Sequence, residues 1–281
     1  MIPAQFDYEA PESLEQAVRM LHENGEDAKL IAGGHSLLPL MKLRLAAPTL
    51  LVDLRRVPGL HGIQRENGSW RIGPMTRHAD LQDTPELGVV AKAAGLIADQ
   101  QVRNRGTIGG SLAHGDPASD LPAVMLALEG EVGVQGPNGT RTIPGAELFQ
   151  DYLTTAVGQA EVITEVRLPA LDGWGYGYEK FTRRAEDWAM VGVCALVKRA
   201  GDGSCEDVRI GLTHMGSTPL RATAAEEALR GQGLDASSIA AAAQRAADGT
   251  EPPGDLNATP DYKRHLAQVL TRRALEAAAA A

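Results

Sequence analysis

The chain has 281 residues, 43% of them hydrophobic and 22% charged, with 36 acidic against 27 basic side chains and a net charge of −9. At roughly 150 residues per domain, this length allows about two domains and a core that needs no disulfide staples. The acidic balance argues against a nucleic-acid binder, and two cysteines, Cys194 and Cys205, cannot hold an iron–sulfur cluster or a disulfide framework.

Ser13 followed by Gln16 reads as a capping box. Leu14, Ala17, Val18 and Leu21 then recur at helical spacing, and Gly25 ends the helix. A short strand, Lys29 to Ala32, runs into Gly33-Gly34-His35-Ser36, and a second apolar strand covers Thr49 to Leu54. This opening is a β–α–β arrangement around a glycine loop. Residues 61–74 read as a hairpin turning at Asn67-Gly68, and 131–144 as another with Asn138-Gly139 at its tip. Residues 86–103 read as one helix, followed by a second loop, Gly106 to Ser111, and a helix over Ala118 to Leu128. Val162 to Leu168 is a strand. The glycine-rich stretch 173–178 marks a domain boundary. Strands at Met190–Lys198 and Asp207–His214 and helices at 222–230, 236–247 and 260–280 complete an α+β chain, and the terminal alanines read as a fraying end. No apolar run reaches the roughly 18 residues of a spanning helix. The acidic opening lacks the pattern of a signal peptide. The expected compartment is the cytoplasm, with peripheral attachment at the inner face of the membrane left open.

The chemistry concentrates in the two glycine loops. Glycine pairs let a ligand approach the backbone, with amides free to donate. His35 and Ser36 add side-chain donors to the first loop, and Thr107 and Ser111 to the second. Together they suggest a diphosphate held by amides from two places, although either pair alone is more often a plain turn. GxGxxG and GxxxxGK[ST] are both missing, which disfavours a Rossmann site and a P-loop.

The run Ala32 to Arg44 (AGGHSLLPLMKLR) and the run Gln101 to Pro122 (QVRNRGTIGGSLAHGDPASDLP) resemble the FAD-binding medium subunit of molybdenum hydroxylases, the carbon monoxide and xanthine dehydrogenase group. Tyr178 to Arg184 with Asp187-Trp188-Ala189, and Ser217 to Ala222, fit the same family, so the resemblance covers essentially the whole chain in order and spacing. It implies an FAD-binding fold of the vanillyl-alcohol-oxidase (PCMH) type in residues 1–173, with subdomains of about 1–55 and 56–173. A smaller α+β domain of the CO dehydrogenase flavoprotein type would fill 174–281. It implies noncovalent FAD held by Lys29, Leu30, Ala32, Gly33, Gly34, His35 and Ser36, and by Thr107, Gly109, Gly110 and Ser111. Asp120 would bind cofactor, Ile163 would pack near the adenine or ring edge, Lys180 would lie near the flavin ring and Trp188 would cover it.

By the same resemblance, the molybdenum cofactor sits on a large partner subunit and two iron–sulfur clusters on a small one. The assembly would be a dimer of heterotrimers, with this chain passing electrons to an external acceptor. A lysine near the pyrimidine end of a flavin stabilises negative charge on the reduced ring. Each of these residues has a plainer reading. By the family's noncovalent binding, His35 is expected to hydrogen-bond phosphate or backbone and not to anchor the flavin, and His114 with Asp116 and Asp120 matches no common metal spacing. Arg103 and Arg105 flank the second loop, where loop anchoring and subunit contact are the plainer reading beside phosphate binding, Cys194 is an inert core thiol, and for Trp188 the plainer reading is an ordinary core tryptophan. No nucleophile–base pair and no acid/base carboxylate pair stands out, which points to electron transfer and not substrate chemistry. Carbon monoxide dehydrogenase is the first expectation for the complex. Purine, nicotinate or aldehyde hydroxylases, a self-contained flavin oxidoreductase and a flavin-free scaffold are the alternatives.

Overall fold

The structure is a computed structural model describing residues 2–280. Its first part is a parallel sheet. β1 (Asp7–Glu9), α1 (Leu14–Asn24), β2 (Ala28–Ile31), α2 (Leu37–Lys42) and β3 (Leu50–Asp53) follow one another, and the strands lie in the order β1–β3–β2. The Ser13 hydroxyl accepts from the Gln16 amide at 3.2 Å and so starts α1. Ala17, Val18 and Leu21 then form its buried stripe against Ala28 and Val52. β1 is three exposed residues with no apolar pattern, and only its pairing with β3 reveals it.

The second part begins with the hairpin of β4 (Ile63–Glu66) and β5 (Ser69–Ile72), whose turn holds Asn67 at φ 49° and Gly68 at φ 77°. Helices α3 (His78–Gln82), α4 (Val89–Gly95), α5 (Gln100–Arg103), α6 (Ile108–His114) and α7 (Asp120–Leu128) come next. They are followed by β6 (Glu131–Gly136), β7 (Gly139–Pro144), α8 (Gly145–Leu148), the small pair β8 (Phe149–Asp151) and β9 (Thr154–Thr155), and β10 (Val162–Pro169). The five-stranded sheet has the order β4–β5–β10–β6–β7, and its core is shared with α4, α6 and α7.

Two expectations are corrected here. The single helix over 86–103 is broken at Gly88, with φ 58°, and between α4 and α5, where Ala98 has φ 41°. The second break is stabilised by capture of its carbonyls. Leu96 O accepts from Lys180 at 3.0 Å, and Ile97 O and Ala98 O accept from Arg103 at 2.8 and 3.0 Å. The second glycine loop is also shorter than expected, because Gly109 and Gly110 already lie in the first turn of α6.

The glycine-rich stretch read as a boundary is itself a strand, β11 (Trp174–Phe181). With β12 (Val191–Arg199), β13 (Cys205–Thr213) and β14 (Leu220–Arg221) it forms a four-stranded antiparallel sheet. β12 is buried on both faces, so its apolar run is continuous. Cys194 and Leu196 face the core of the preceding part, while Val193, Ala195 and Val197 face helices α9 (Thr223–Leu229), α10 (Ala236–Gln244) and α11 (Pro260–Ala280). Burial pushes the Cys194 thiol up to about 12, which leaves it inert. Gly211 lets β13 lie against α7, where a Cβ would stand 2.9 Å from the Ala123 carbonyl carbon. The terminal alanines do not fray within the described residues. Ala274 and Ala278 are buried against the sheet, and only Ala281 lies outside the described part. Among the described residues no helix is long and apolar enough to cross a membrane.

Candidate functional site

A cleft of about 650 Å³ opens where the loop after β2, the start of α6, β10 and the segment 182–190 meet. The loop leaves the carboxyl end of a parallel strand, the end at which such sheets take ligands. Lys29, Leu30, Ala32, Gly33, Gly34, His35 and Ser36 line the cleft on one side. Thr107, Gly109, Gly110 and Ser111 line it on a second, and Asp120, Ile163, Lys180 and Trp188 complete the wall. These residues span 160 positions of chain, and the fold brings all of them to one cavity.

The two glycine loops touch. A Cβ on Gly33 would stand 2.7 Å from the Gly106 Cα, so only glycine lets the first loop pack on the second. Beyond it Gly34 has φ 78°, and the amides of Gly33, Gly34, His35 and Ser36 meet no protein acceptor among the described residues. Ser36 precedes α2 without capping it. The second loop differs. Its amides donate within the protein: Gly109 to Pro74 O at 2.8 Å, Gly110 to Thr107 Oγ1 at 3.2 Å and Ser111 to Thr107 O at 3.0 Å. The expectation that both loops offer amides to a diphosphate is therefore corrected. The first loop has amides to offer, while those of the second cap and continue α6. What Gly110 adds is clearance, since a Cβ there would meet only Thr107 Oγ1 at 2.9 Å and Ala32 Cβ at 3.8 Å.

Opposite the loops lies a buried ion pair. Alternate residues of β11 point the same way, so Tyr178 and Lys180 both reach the first residue of α7. Lys180 Nζ donates to Asp120 Oδ2 at 2.9 Å, and the Tyr178 hydroxyl donates to Asp120 Oδ1 at 2.6 Å. Asp120 is only 4% exposed. Burial pushes its carboxyl upward, against the pull of the Lys180 ammonium and the Tyr178 hydroxyl. Burial and the neighbouring carboxylate likewise drive the Tyr178 phenol well above its ordinary value, so it stays a donor. The pair joins the C-terminal sheet to α7, and Lys180 is turned by the carbonyl of Leu96 at the helix break.

Trp188 is 56% exposed at the cleft and is not a core residue. His35 is exposed on the cleft wall, and partial burial and Arg105 lower its imidazole below the ordinary range despite Asp99. His78 is a wall residue that sequence reasoning missed. It is buried, its amide donates to Gly106 O at 2.9 Å, and its Nδ1 has no partner. Burial, with His35 and Arg103 nearby, lowers it to about 4, so the ring is neutral. A lone histidine at the start of a five-residue helix carries no sequence signal. Only the tertiary fold puts it beneath the second loop. Arg103 anchors the 96–98 turn, through Ile97 O and Ala98 O, and among the described residues makes no side-chain bond to the second glycine loop that it was expected to hold.

The donor set fits FAD. Open amides and a free hydroxyl suit a diphosphate, a glycine face admits the chain of the dinucleotide, and an ammonium and an uncovered indole suit a flavin ring. A family model described as "FAD binding domain in molybdopterin dehydrogenase" matches residues 4–171, and one described as "CO dehydrogenase flavoprotein C-terminal domain" matches residues 176–278. The chain is 45% identical to the carbon monoxide dehydrogenase medium chain of Hydrogenophaga pseudoflava, across 99% of this chain and 98% of that one. It is 40% identical to the nicotine 6-hydroxylase medium subunit of Paenarthrobacter nicotinovorans, across 97% of each. Among solved structures, carbon monoxide dehydrogenase from Hydrogenophaga pseudoflava matches with a TM-score of 0.96 at 46% identity, covering 100% of this chain and 99% of that chain. Quinoline 2-oxidoreductase from Pseudomonas putida 86 matches with a TM-score of 0.95 at 33% identity and the same coverage. With both family models matching in chain order and relatives this similar along the whole chain, the chain belongs to the family of FAD-binding subunits of the molybdopterin dehydrogenases.

Proposed function

We propose that this chain is the FAD-carrying electron-transfer subunit of a cytoplasmic heterotrimeric molybdenum hydroxylase, assembled as a dimer of heterotrimers, whose complex oxidises carbon monoxide. Its partners are an iron–sulfur subunit and a molybdenum subunit. The chain divides at Gly173 into an FAD-binding part and a smaller closing domain. The observation that carries the cofactor reading is the row of open amides from Gly33 to Ser36 at the cleft.

FAD bound there supplies exchange of single electrons on one side and of electron pairs on the other. The chain's own residues bind and shield. The amides of Gly33, Gly34, His35 and Ser36 and the Ser36 hydroxyl hold the diphosphate. Thr107, Gly109, Gly110 and Ser111 form the surface that it lies against, with Gly110 leaving the clearance. Lys29, Leu30, Ala32 and Ile163 wall the dinucleotide. Asp120 and Leu96 O fix the Lys180 ammonium where negative charge on the ring needs it. Trp188 covers one face and excludes water.

Hydrogen exchange tests the site. The amides of Gly33 to Ser36 gain protection when FAD is added, while those of Gly109 to Ser111 are protected with or without it. Equal protection of the first loop in both states sinks the reading. Co-purification of two further polypeptides with iron–sulfur absorbance tests the partners. The identity to the Hydrogenophaga chain supports carbon monoxide as the complex's substrate, while the likeness to the nicotine 6-hydroxylase subunit supports an N-heterocycle as the second reading. Dye reduction by the purified complex with carbon monoxide or nicotine separates the two.

A further inference from the structure

The segment 182–190, which joins β11 to β12, carries Trp188 to the mouth of the cleft. It is closed on itself by a small turn, with Asp187 N donating to Arg184 O and Arg184 N to Asp187 Oδ2, both at 3.1 Å. Both of its ends are fastened to one place. Near the start, Arg183 donates to Asn257 Oδ1 at 3.3 Å. At the end, the carbonyl of Ala189, next to Trp188, accepts from His214 Nδ1 at 2.8 Å. His214 follows β13 at φ 64°, and its own amide donates to Pro117 O at 2.8 Å. Behind the imidazole, Nε2 faces Lys263 Nζ at 3.3 Å. That lysine side chain lies in α11 with 0% exposure, and its ammonium donates to Asp255 Oδ2 at 2.7 Å. Asp255 Oδ1 in turn accepts from the amides of Asn257 and Ala258 at 2.7 and 3.0 Å.

The chemistry of these atoms leaves one arrangement. A carbonyl only accepts, so Nδ1 carries the proton. An ammonium only donates, so Nε2 must offer its lone pair to Lys263. The ring is then neutral and held in a single tautomer. A fully buried lysine is costly to a fold unless it is paired, and a methionine would fill the same space without that cost. The ammonium contributes no contact to the cleft. What it does is orient a ring whose other end holds the backbone beside Trp188.

We propose that His214, locked in its Nδ1–H tautomer by Lys263 and Asp255, is a positioning residue that sets Trp188 over the bound flavin. This rests on the reading that FAD occupies the cleft with Trp188 against its ring. An indole stacked on a flavin quenches its fluorescence, so emission from the bound cofactor reports the placement directly.

The experiment compares emission per bound FAD in the full chain for wild type, Trp188→Ala, His214→Ala, His214→Asn and Lys263→Met. Emission from His214→Ala rises to the level of Trp188→Ala. The Lys263→Met variant shifts the same way, because its imidazole is free to change tautomer, and it carries the test should His214→Ala not fold. His214→Asn stays at the wild-type level, since asparagine tolerates a positive φ and its amide donates to Ala189 O. Adding His214→Ala to Trp188→Ala changes nothing further. Wild-type emission from both His214→Ala and Lys263→Met, beside a raised Trp188→Ala, overturns the proposal while leaving the cofactor site intact. So does an additive double variant, which puts the effect of His214 elsewhere. Should Trp188→Ala bind FAD and leave emission unchanged, the placement of Trp188 falls, and this proposal falls with it.

Discussion

Beside the first glycine loop the fold leaves the amides of Gly33 to Ser36 without an acceptor, and beside the second it engages those of Gly109, Gly110 and Ser111. The difference lies in where each glycine pair stands relative to the helix that follows it. Gly34 takes φ 78° and turns the chain ahead of α2, which starts only at Leu37, so the amides of Gly33 to Ser36 are not drawn into a helix. Thr107, by contrast, caps α6, and its backbone and side chain together take the Ser111 and Gly110 amides. A glycine pair therefore signals close approach. Whether it also signals amide donation depends on where the next helix begins. One loop is built to hold a ligand, the other to be a firm surface beside it.

The largest effect that separates the loops is acid. The second loop rests on His78, whose buried ring is lowered from 6.5 to about 4 by burial first, and then by His35 and Arg103. Between these values the unfolded chain binds a proton that the folded chain refuses. The share of stability linked to His78 is therefore complete above pH 6.5 and is lost as pH drops toward 4, by about 3 kcal/mol. Urea unfolding across that range gives the slope, and His78→Leu removes the His78 share of it, while His114 and His214, which burial also lowers, keep theirs. A slope unchanged in the variant means that the imidazole does not carry the effect. His35 is exposed on the first loop and contributes less.

Next in size is the contrast between glycines. Gly33→Ala drives a Cβ into backbone, 2.7 Å from the Gly106 Cα, and costs about 1–3 kcal/mol as well as flavin. Gly110→Ala disturbs only the Thr107 cap and gains helix propensity, so stability stays within about 1 kcal/mol while FAD affinity falls. Gly110→Val blocks the approach outright. Thermal unfolding beside flavin content reads both quantities. A Gly110→Val chain with full flavin would move the ligand off the second loop.

How much of this was legible follows from the range of the interactions. The Ser13 cap and the stripe of α1 are local, and so are the Asn67-Gly68 turn and the two-faced run of β12. The sequence could be read for each of them. The glycine loops were legible as places of close approach, but not in their division of labour, because the Gly109 amide is taken by Pro74, which lies 35 positions upstream. Asp120 and Lys180 were named through family resemblance. Nothing in spacing pairs residues sixty apart, and the break after α4 that their partner Leu96 requires looked like continuous helix. The His214–Lys263 contact joins a strand end to the last helix and left no pattern at all.

The smallest effect is the sharpest test of the comparison, because it uses one residue type of the same character in each loop. Ser36 and Thr107 both stand at a helix start, both carry a hydroxyl and both line the cleft. Thr107 Oγ1 accepts from the Gly110 amide at 3.2 Å, so Thr107→Ala should cost about 1 kcal/mol of stability, the ordinary worth of a cap. Ser36 makes no cap bond, so Ser36→Ala should leave stability within about 0.5 kcal/mol and weaken FAD instead. The measurement is paired: unfolding free energy and FAD dissociation constant for each variant. If the first loop binds and the second supports, Thr107→Ala moves the first quantity and Ser36→Ala the second. If Ser36→Ala destabilises the fold and leaves FAD affinity unchanged, the hydroxyl serves α2, and the distinction between the loops rests on their backbone amides alone.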